Sequence, residues 1–157
     1  MSRHTEKSLS KKFIDTYIYS LYKALYMKLG DDAWDIVWSS GKIFYEEYKD
    51  KLNIKEDDTP ENIIEKIGRF FTEVGYIDRL EVNKVNDDLI EFTIYHPTPW
   101  NANVKLRKEG MVPGQILIPV LVAALESRGY KVTMLKDREF GDRRLTERWK
   151  ISKQKKT

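Results

Sequence analysis

Few side chains in this sequence can transfer a proton, attack a substrate or hold a metal. There are two histidines, His4 and His96, and no cysteine. His4 lies in a polar start, which leaves His96 as the imidazole placed to act as an acid or base. No serine or threonine sits in a nucleophile-elbow context, and no phosphate-loop pattern occurs. No acidic or histidine pair has metal-ligand spacing. Asp31-Asp32 and Asp57-Asp58 precede apolar-periodic segments, where a carboxylate accepts from unpaired helical N–H groups. They read as helix-start residues rather than paired catalytic carboxylates. Absence of cysteine removes disulfides, thiolate metal sites, a cysteine nucleophile and thioester-linked acyl chains. The expectation is a binding protein with no cofactor and no metal, not an enzyme.

The aromatic residues carry more information. Trp34, Trp38, Phe44, Phe70, Phe71, Phe92 and Trp100 are large faces on segments that must pack together. One reading is an ordinary core. The other is a cleft between a broad helical face, bearing Trp34 and Trp38, and the inner face of a hairpin bearing Phe92. His96 and Trp100 would then stand at the mouth of an apolar pocket, giving the apolar walls and few oriented donors of a small-molecule site.

Charge is uneven. The net charge is +3, yet from Lys136 onward nine Lys/Arg face four Asp/Glu, an excess of five positive charges. Arg138, Arg143, Arg144, Arg148 and Lys150 are the candidate anion or nucleic-acid patch. The alternative is a solvated hairpin followed by a Lys-rich tail.

The elements that would position these groups follow from periodicity. Leu9, Phe13, Tyr17, Leu21 and Leu25 recur every four residues, with Ile14, Ile18 and Leu29 widening the stripe; Gly30 stops this first helix. A second helix runs to about Leu52, with Ala33, Val37, Gly41, Phe44 and Tyr48 in one row and Trp34, Trp38 and Tyr45 in the next. Gly41 inside it costs roughly 1 kcal/mol against Ala, which a close backbone approach would explain. Residues 53–58 are a charged loop. Thr59-Pro60 caps a third helix carrying Ile63, Ile64, Ile67, Phe70, Phe71 and Val74 to Gly75. The period then changes to two. Leu80 and Val82, a turn at Asn86-Asp87-Asp88, and Ile90, Phe92 and Ile94 form a hairpin. His96-Pro97-Thr98-Pro99-Trp100 must leave the sheet, and residues 101–109 read as a short helix. Gly114 to Ser127 is the most apolar helix, with Pro119 marking a kink or a late start. A second hairpin closes the chain: Val132 and Met134, a turn near Gly141-Asp142, then Leu145, Glu147, Trp149 and Ile151.

The fold class is therefore α+β, a four-stranded antiparallel sheet of two hairpins packed against four to five helices, three of them N-terminal. At 157 residues, 41% hydrophobic and 34% charged, one domain spanning 1–152 is expected, with flexible basic ends at 1–8 and 153–157. Met1 to Lys12 is polar and basic, unlike a secretory signal. The longest apolar stretch, Ile116 to Leu125, is interrupted by Pro119 and far short of the roughly 20 residues of a membrane span. A soluble, cytoplasmic protein is expected.

Several local patterns, taken in order, resemble the 4-vinyl reductase or hydrocarbon-binding domain family. They are Leu29-Gly30 with Ala33 and Gly41, Val74-Gly75-Tyr76, Gly110 and Gly114, and Gly129, Val132 and Gly141-Asp142. The resemblance covers residues 13–152. That family shares its fold with the ligand-binding domains of nitric-oxide signalling and of the TRAPP tethering particle. The resemblance implies a pocket between sheet and helices, lined from the second strand and the segment after it by Phe92, Ile94, His96 and Trp100. It also implies a homodimer through the N-terminal helices. Many members carry cysteines around the final hairpin, some binding zinc; the aligned positions here hold Asp137 and Leu145, so no structural zinc is expected.

The leading expectation is a non-catalytic domain that binds an apolar, hydrocarbon-like small molecule. A rival is an assembly module whose aromatic face is a protein interface. A second rival is a nucleic-acid-associated regulator using the basic hairpin, weakened because no helix-turn-helix precedes the domain. A reductase ranks last, since no cofactor motif is present.

Overall fold

The structure, a computed structural model, describes residues 8–155. Residues 1–7 and 156–157, and with them His4, lie outside the described residues. The elements in chain order are α1 (Lys11–Leu29), a 3-10 turn (Gly30–Asp32), α2 (Ala33–Leu52), α3 (Pro60–Glu73), β1 (Arg79–Lys84), β2 (Leu89–Tyr95), α4 (Trp100–Lys108), α5 (Leu117–Ser127), β3 (Tyr130–Met134), β4 (Glu139–Gly141) and β5 (Arg144–Lys153). The chain divides into two compact units, each discontinuous in sequence. One holds the residues up to Ala33 with Thr98–Gly114; the other holds Trp34–Pro97 with the residues from Gln115 onward.

The first unit is a helix pair. Ser10 accepts from Phe13 N–H and starts α1. Asp15 on α1 accepts from the Ala102 N–H in the first turn of α4 at 2.9 Å, placing a carboxylate at a helix N-terminus, where the dipole favours it. At the other end, Glu109 accepts from Tyr19 Oη at 2.8 Å and lies 3.2 Å from Lys23 Nζ. These donors hold the Glu109 carboxyl below its ordinary range. Gly114 lies against α1, so that a Cβ there would meet Ile18 and the Tyr22 ring at 2.5 and 2.6 Å. The apolar pattern of α1 divides in an unexpected way. Ile14, Ile18, Tyr22 and Leu25 are half-buried, whereas Leu9, Phe13 and Tyr17 are 69%, 59% and 57% exposed.

The second unit is a layered α/β core. Thr59 caps α3 by accepting from Asn62 N–H, with Pro60 at the first helical position as expected. The β1–β2 hairpin turns on Asn86, whose Oδ1 accepts from the Asp88 and Leu89 N–H groups. All pairings are antiparallel, and the order β1-β2-β5-β3 joins the two hairpins through their second arms. The sheet thus has the expected four strands plus the short β4, which pairs with the start of β5. The chain reverses at Asp142-Arg143, and Arg143 takes a left-handed backbone.

One face of this sheet is buried. Ile90, Phe92 and Ile94 lie beside Leu145, Glu147, Trp149 and Ile151, with Phe92 edge-on to Trp149 at 4.7 Å. Helix α3 packs over β1 and α5 over β3. Between α2 and α3, Phe44 stacks on Phe71 at 5.6 Å and Tyr48 meets Phe70 at 5.1 Å. For these aromatic residues the core reading holds. Pro119 is the third residue of α5, so it marks a late start rather than a kink; in the first turn its missing N–H leaves no intrahelical bond unmade.

Candidate functional site

The site is built where α2 and α5 touch. Gly41 and Pro119 meet so closely that a Cβ on Gly41 would lie 2.3 Å from the proline Cβ and 2.5 Å from its carbonyl carbon. That contact answers the expectation of a close backbone approach at Gly41. It also places Trp38 and Lys42, three residues before and one after Gly41, beside α5. On α5, Pro119, Val122, Ala123 and Glu126 follow helical spacing and share a face. On β3, Val132 and Met134 are two residues apart and point the same way. Together these eight residues line an open groove of about 380 Å³, within the roughly 300–1,000 Å³ usual for small-molecule sites.

The groove has an apolar middle and charged flanks. Pro119 and Ala123 are buried, Trp38, Val122, Val132 and Met134 half-buried, and Lys42 and Glu126 exposed. Neither Lys42 nor Glu126 forms an ion pair among the described residues. Trp34 stacks on Trp38 at 6.4 Å, extending the aromatic wall along α2. Met134 Sδ accepts from Arg138 Nη2 at 3.6 Å. The same guanidinium lies 3.0 Å from the fully buried Glu147 carboxylate, which also accepts from Trp149 Nε1 at 3.3 Å.

The residues singled out from sequence fall in different places. Trp38 lines the groove and Trp34 supports it. Phe92 and Ile94 are sheet-core side chains, 1% and 3% exposed, and do not line it. His96 ends β2 in a left-handed backbone; its N–H donates to Arg143 O at 2.6 Å and its Nδ1 pairs with the Asp78 carboxylate. It pins the end of the sheet and stands half-exposed, away from the groove lining. Trp100 begins α4 in the other unit. Lys42, Pro119, Val122, Ala123, Glu126, Val132 and Met134 were not singled out as site residues. Gly41 and Pro119 were the traces visible in sequence, each an awkward residue for its helix, but nothing in sequence joined them.

The basic residues are similarly divided. Arg148 bonds Glu91 at 2.7 Å and Asp137 at 2.8 Å, and lies 3.6 Å from Glu139. These carboxylates hold its guanidinium protonated more firmly than usual. Arg138 serves Glu147. Arg143 forms the β4–β5 turn, Arg144 folds beside Gly141, and Lys150 is exposed. Asp137 and Leu145, the positions expected to replace zinc-binding cysteines, are an ion-pair partner and a core residue respectively.

No family model matches the chain, and no curated protein matches it. Solved structures do. An H-NOX domain from T. Tengcongensis superposes with a TM-score of 0.58 at 12% identity, over 94% of this chain and 77% of that one. The fold is H-NOX-like. A Cs H-NOX variant gives a TM-score of 0.56 at 12% identity, covering 94% and 76% of the two chains. A structure from work on heme distortion in the H-NOX family gives 0.56 at 10% identity, covering 100% and 79%. At such identities the likeness is one of fold. It agrees with the shared fold with ligand-binding domains of nitric-oxide signalling that the resemblance to hydrocarbon-binding domains implied.

Proposed function

We propose that this chain is a non-catalytic small-molecule-binding domain, and that its ligand is an apolar, hydrocarbon-like molecule held in the Trp38–Val122–Met134 groove. The observation carrying the reading is a groove of suitable volume, with an aromatic wall, an aliphatic floor and only two charged groups at its margins. The H-NOX-like fold and the resemblance to hydrocarbon-binding domains support the same class. An apolar body would cover Pro119, Val122 and Met134, removing their surface from water at about 25 cal/mol per Å². Lys42 or Glu126 would orient a polar end.

Haem, the group named for one of the similar structures, does not fit this groove. Protein-held haem iron takes an imidazole, thiolate, phenolate or imidazole–thioether set as axial ligand. The groove offers only the Met134 thioether, already accepting from Arg138. The His96 imidazole is engaged with Asp78 at the end of β2.

The test is a thermal-shift and intrinsic-fluorescence titration with a series of hydrophobic probes, from indole to medium-chain alkanes and their carboxylates. Binding raises the unfolding temperature and changes Trp38 emission, and Trp38→Ala abolishes both responses while the far-ultraviolet dichroism is retained. A series in which no probe shifts the wild-type protein rejects the reading.

The second part of the proposal is a homodimer through the N-terminal helices. The exposed Leu9–Phe13–Tyr17–Leu21 row on and beside α1 supports it, because an apolar stripe at helical spacing is ordinarily covered by a partner. Placement in the 4-vinyl reductase family itself rests on the residue patterns alone.

A further inference from the structure

β3 is the last strand of its sheet on one side. Among the described residues it pairs only with β5. The hydrogen-bond phase fixes which of its backbone groups are used. Leu135 N–H donates to Arg148 O at 2.9 Å, and Gln154 N–H donates to Gly129 O at 2.7 Å. In an antiparallel ladder alternate residues bond the same neighbour, so Lys131 and Thr133 face β5. Val132 and Met134 therefore turn their N–H and C=O groups to the open edge. Their side chains line the groove. One short stretch thus presents both a row of backbone donors and acceptors and the apolar cleft beside it.

The opposite face of the same strand is basic. Lys131 is exposed, as is Lys150, which lies opposite Thr133 on β5. Neither lysine is paired with a carboxylate among the described residues. An incoming strand has a side-chain period of two. Its groove-facing residues would meet Trp38, Val122 and Met134, and its other residues would meet Lys131 and Lys150.

We infer that the β3 edge is a docking site for an extended segment of a partner protein in which apolar and acidic residues alternate. The segment adds as a further antiparallel or parallel strand beyond β3, bonds the Val132 and Met134 backbone, and places its apolar side chains in the groove. Backbone bonds supply much of the affinity in such strand addition, and the alternate side chains supply the selectivity. A second copy of this chain is disfavoured as occupant, because edge-to-edge pairing brings the lysines of both copies together. Lysine on an edge commonly blunts it against self-association; here it also selects an acidic partner. The inference goes beyond the small-molecule reading, since the edge exists whether or not the groove holds a ligand. Where both operate, ligand and strand compete for the same apolar cleft.

The experiment uses the full chain and a fluorescein-labelled heptapeptide of alternating valine and glutamate, followed by anisotropy at low salt. Saturable binding is expected, weakened at least tenfold when lysine replaces glutamate in the peptide and weakened again by added salt. Val132→Pro removes only an outward N–H and leaves the β5 ladder intact. It is expected to cut peptide affinity at least tenfold with the unfolding temperature nearly unchanged. The double charge reversal Lys131→Glu/Lys150→Glu keeps the backbone edge and should swap the preference to the valine–lysine peptide. No binding of either peptide overturns the inference, as does binding that ignores Val132→Pro and the charge reversal. A peptide-free dimer that Val132→Pro dissociates would assign the edge to a second copy instead. The double variant Lys131→Glu/Lys150→Glu changes neither the edge backbone nor any groove-lining residue and leaves the thermal shift by small hydrophobic probes in place, so failure here and failure of the groove as a ligand site are told apart.

Discussion

At the scale of single residues, two positions carry effects out of proportion to their size. Gly41 is the point where α2 and α5 approach, and there is no room for a methyl group against Pro119. The obstructing atoms are the ring and backbone of a proline, which cannot swing aside. Gly41→Ala gains helix propensity of about 1 kcal/mol but forces the helices apart; the expected outcome is a net loss of about 2 kcal/mol in chemical denaturation, with the groove widened. A variant as stable as wild type would show that the contact yields. Asp58 is the second. Its carboxylate accepts from Lys66 Nζ and from the Lys55 N–H, and these bonds hold its pKa below the ordinary value. A folded-state pKa below the unfolded one contributes stability at neutral pH, and that contribution is lost as pH falls through the acid range. Asp58→Asn should unfold several degrees below wild type at neutral pH, with the gap closing as pH falls below the ordinary carboxylate range. A gap independent of pH would show that the charge is irrelevant.

At the scale of elements, the break between β3 and β4 matters more than its length implies. Lys136 to Arg138 leaves the ladder and carries the Arg138 guanidinium to the buried Glu147 and to Met134 in the groove. Removing one partner leaves the other charge in the interior. Arg138→Met should cost about 3 kcal/mol in urea denaturation, and adding Glu147→Leu should recover part of that loss. A double variant no better than the single one would locate the damage in lost packing instead. The helices show how far pattern reading extends. For α3, the residues with apolar spacing are those buried, because that helix lies flat on β1 with one face inward. For α1, the first four residues of the row read as the main stripe, Leu9, Phe13, Tyr17 and Leu21, face outward, and the flanking Ile14 and Ile18, with Leu25 at the end of the row, are the more buried side. A helix with apolar residues on two sides does not announce which side its own chain will cover.

At the scale of the whole molecule, that exposed row on α1 bears on assembly. If α1 pairs with a second copy, sedimentation should give twice the monomer mass, and Phe13→Glu should give a monomer with nearly unchanged dichroism. A wild-type chain that stays monomeric at tens of micromolar would reject the dimer. The candidate ligand site was only partly readable from sequence. Trp34 and Trp38 were found through the breadth of their helical face, and Trp38 does line the groove. Phe92 and Ile94, which the resemblance to hydrocarbon-binding domains implied as pocket lining, are core. An inward-facing aromatic residue looks alike in sequence whether it fills space or borders it.

The amino-acid order alone determined the α+β class, the order of helices and hairpins, and the caps at Thr59 and Gly30. Each depends on propensities and periods acting over a few residues. Tertiary structure alone decided that β2 lies against β5, that β3 is left at the edge, and that Gly41 meets Pro119 to open a groove beside it. Gly41 and Pro119 stand 78 positions apart and the paired residues of β2 and β5 stand 49 to 61 apart, and local preference holds no record of a distant partner.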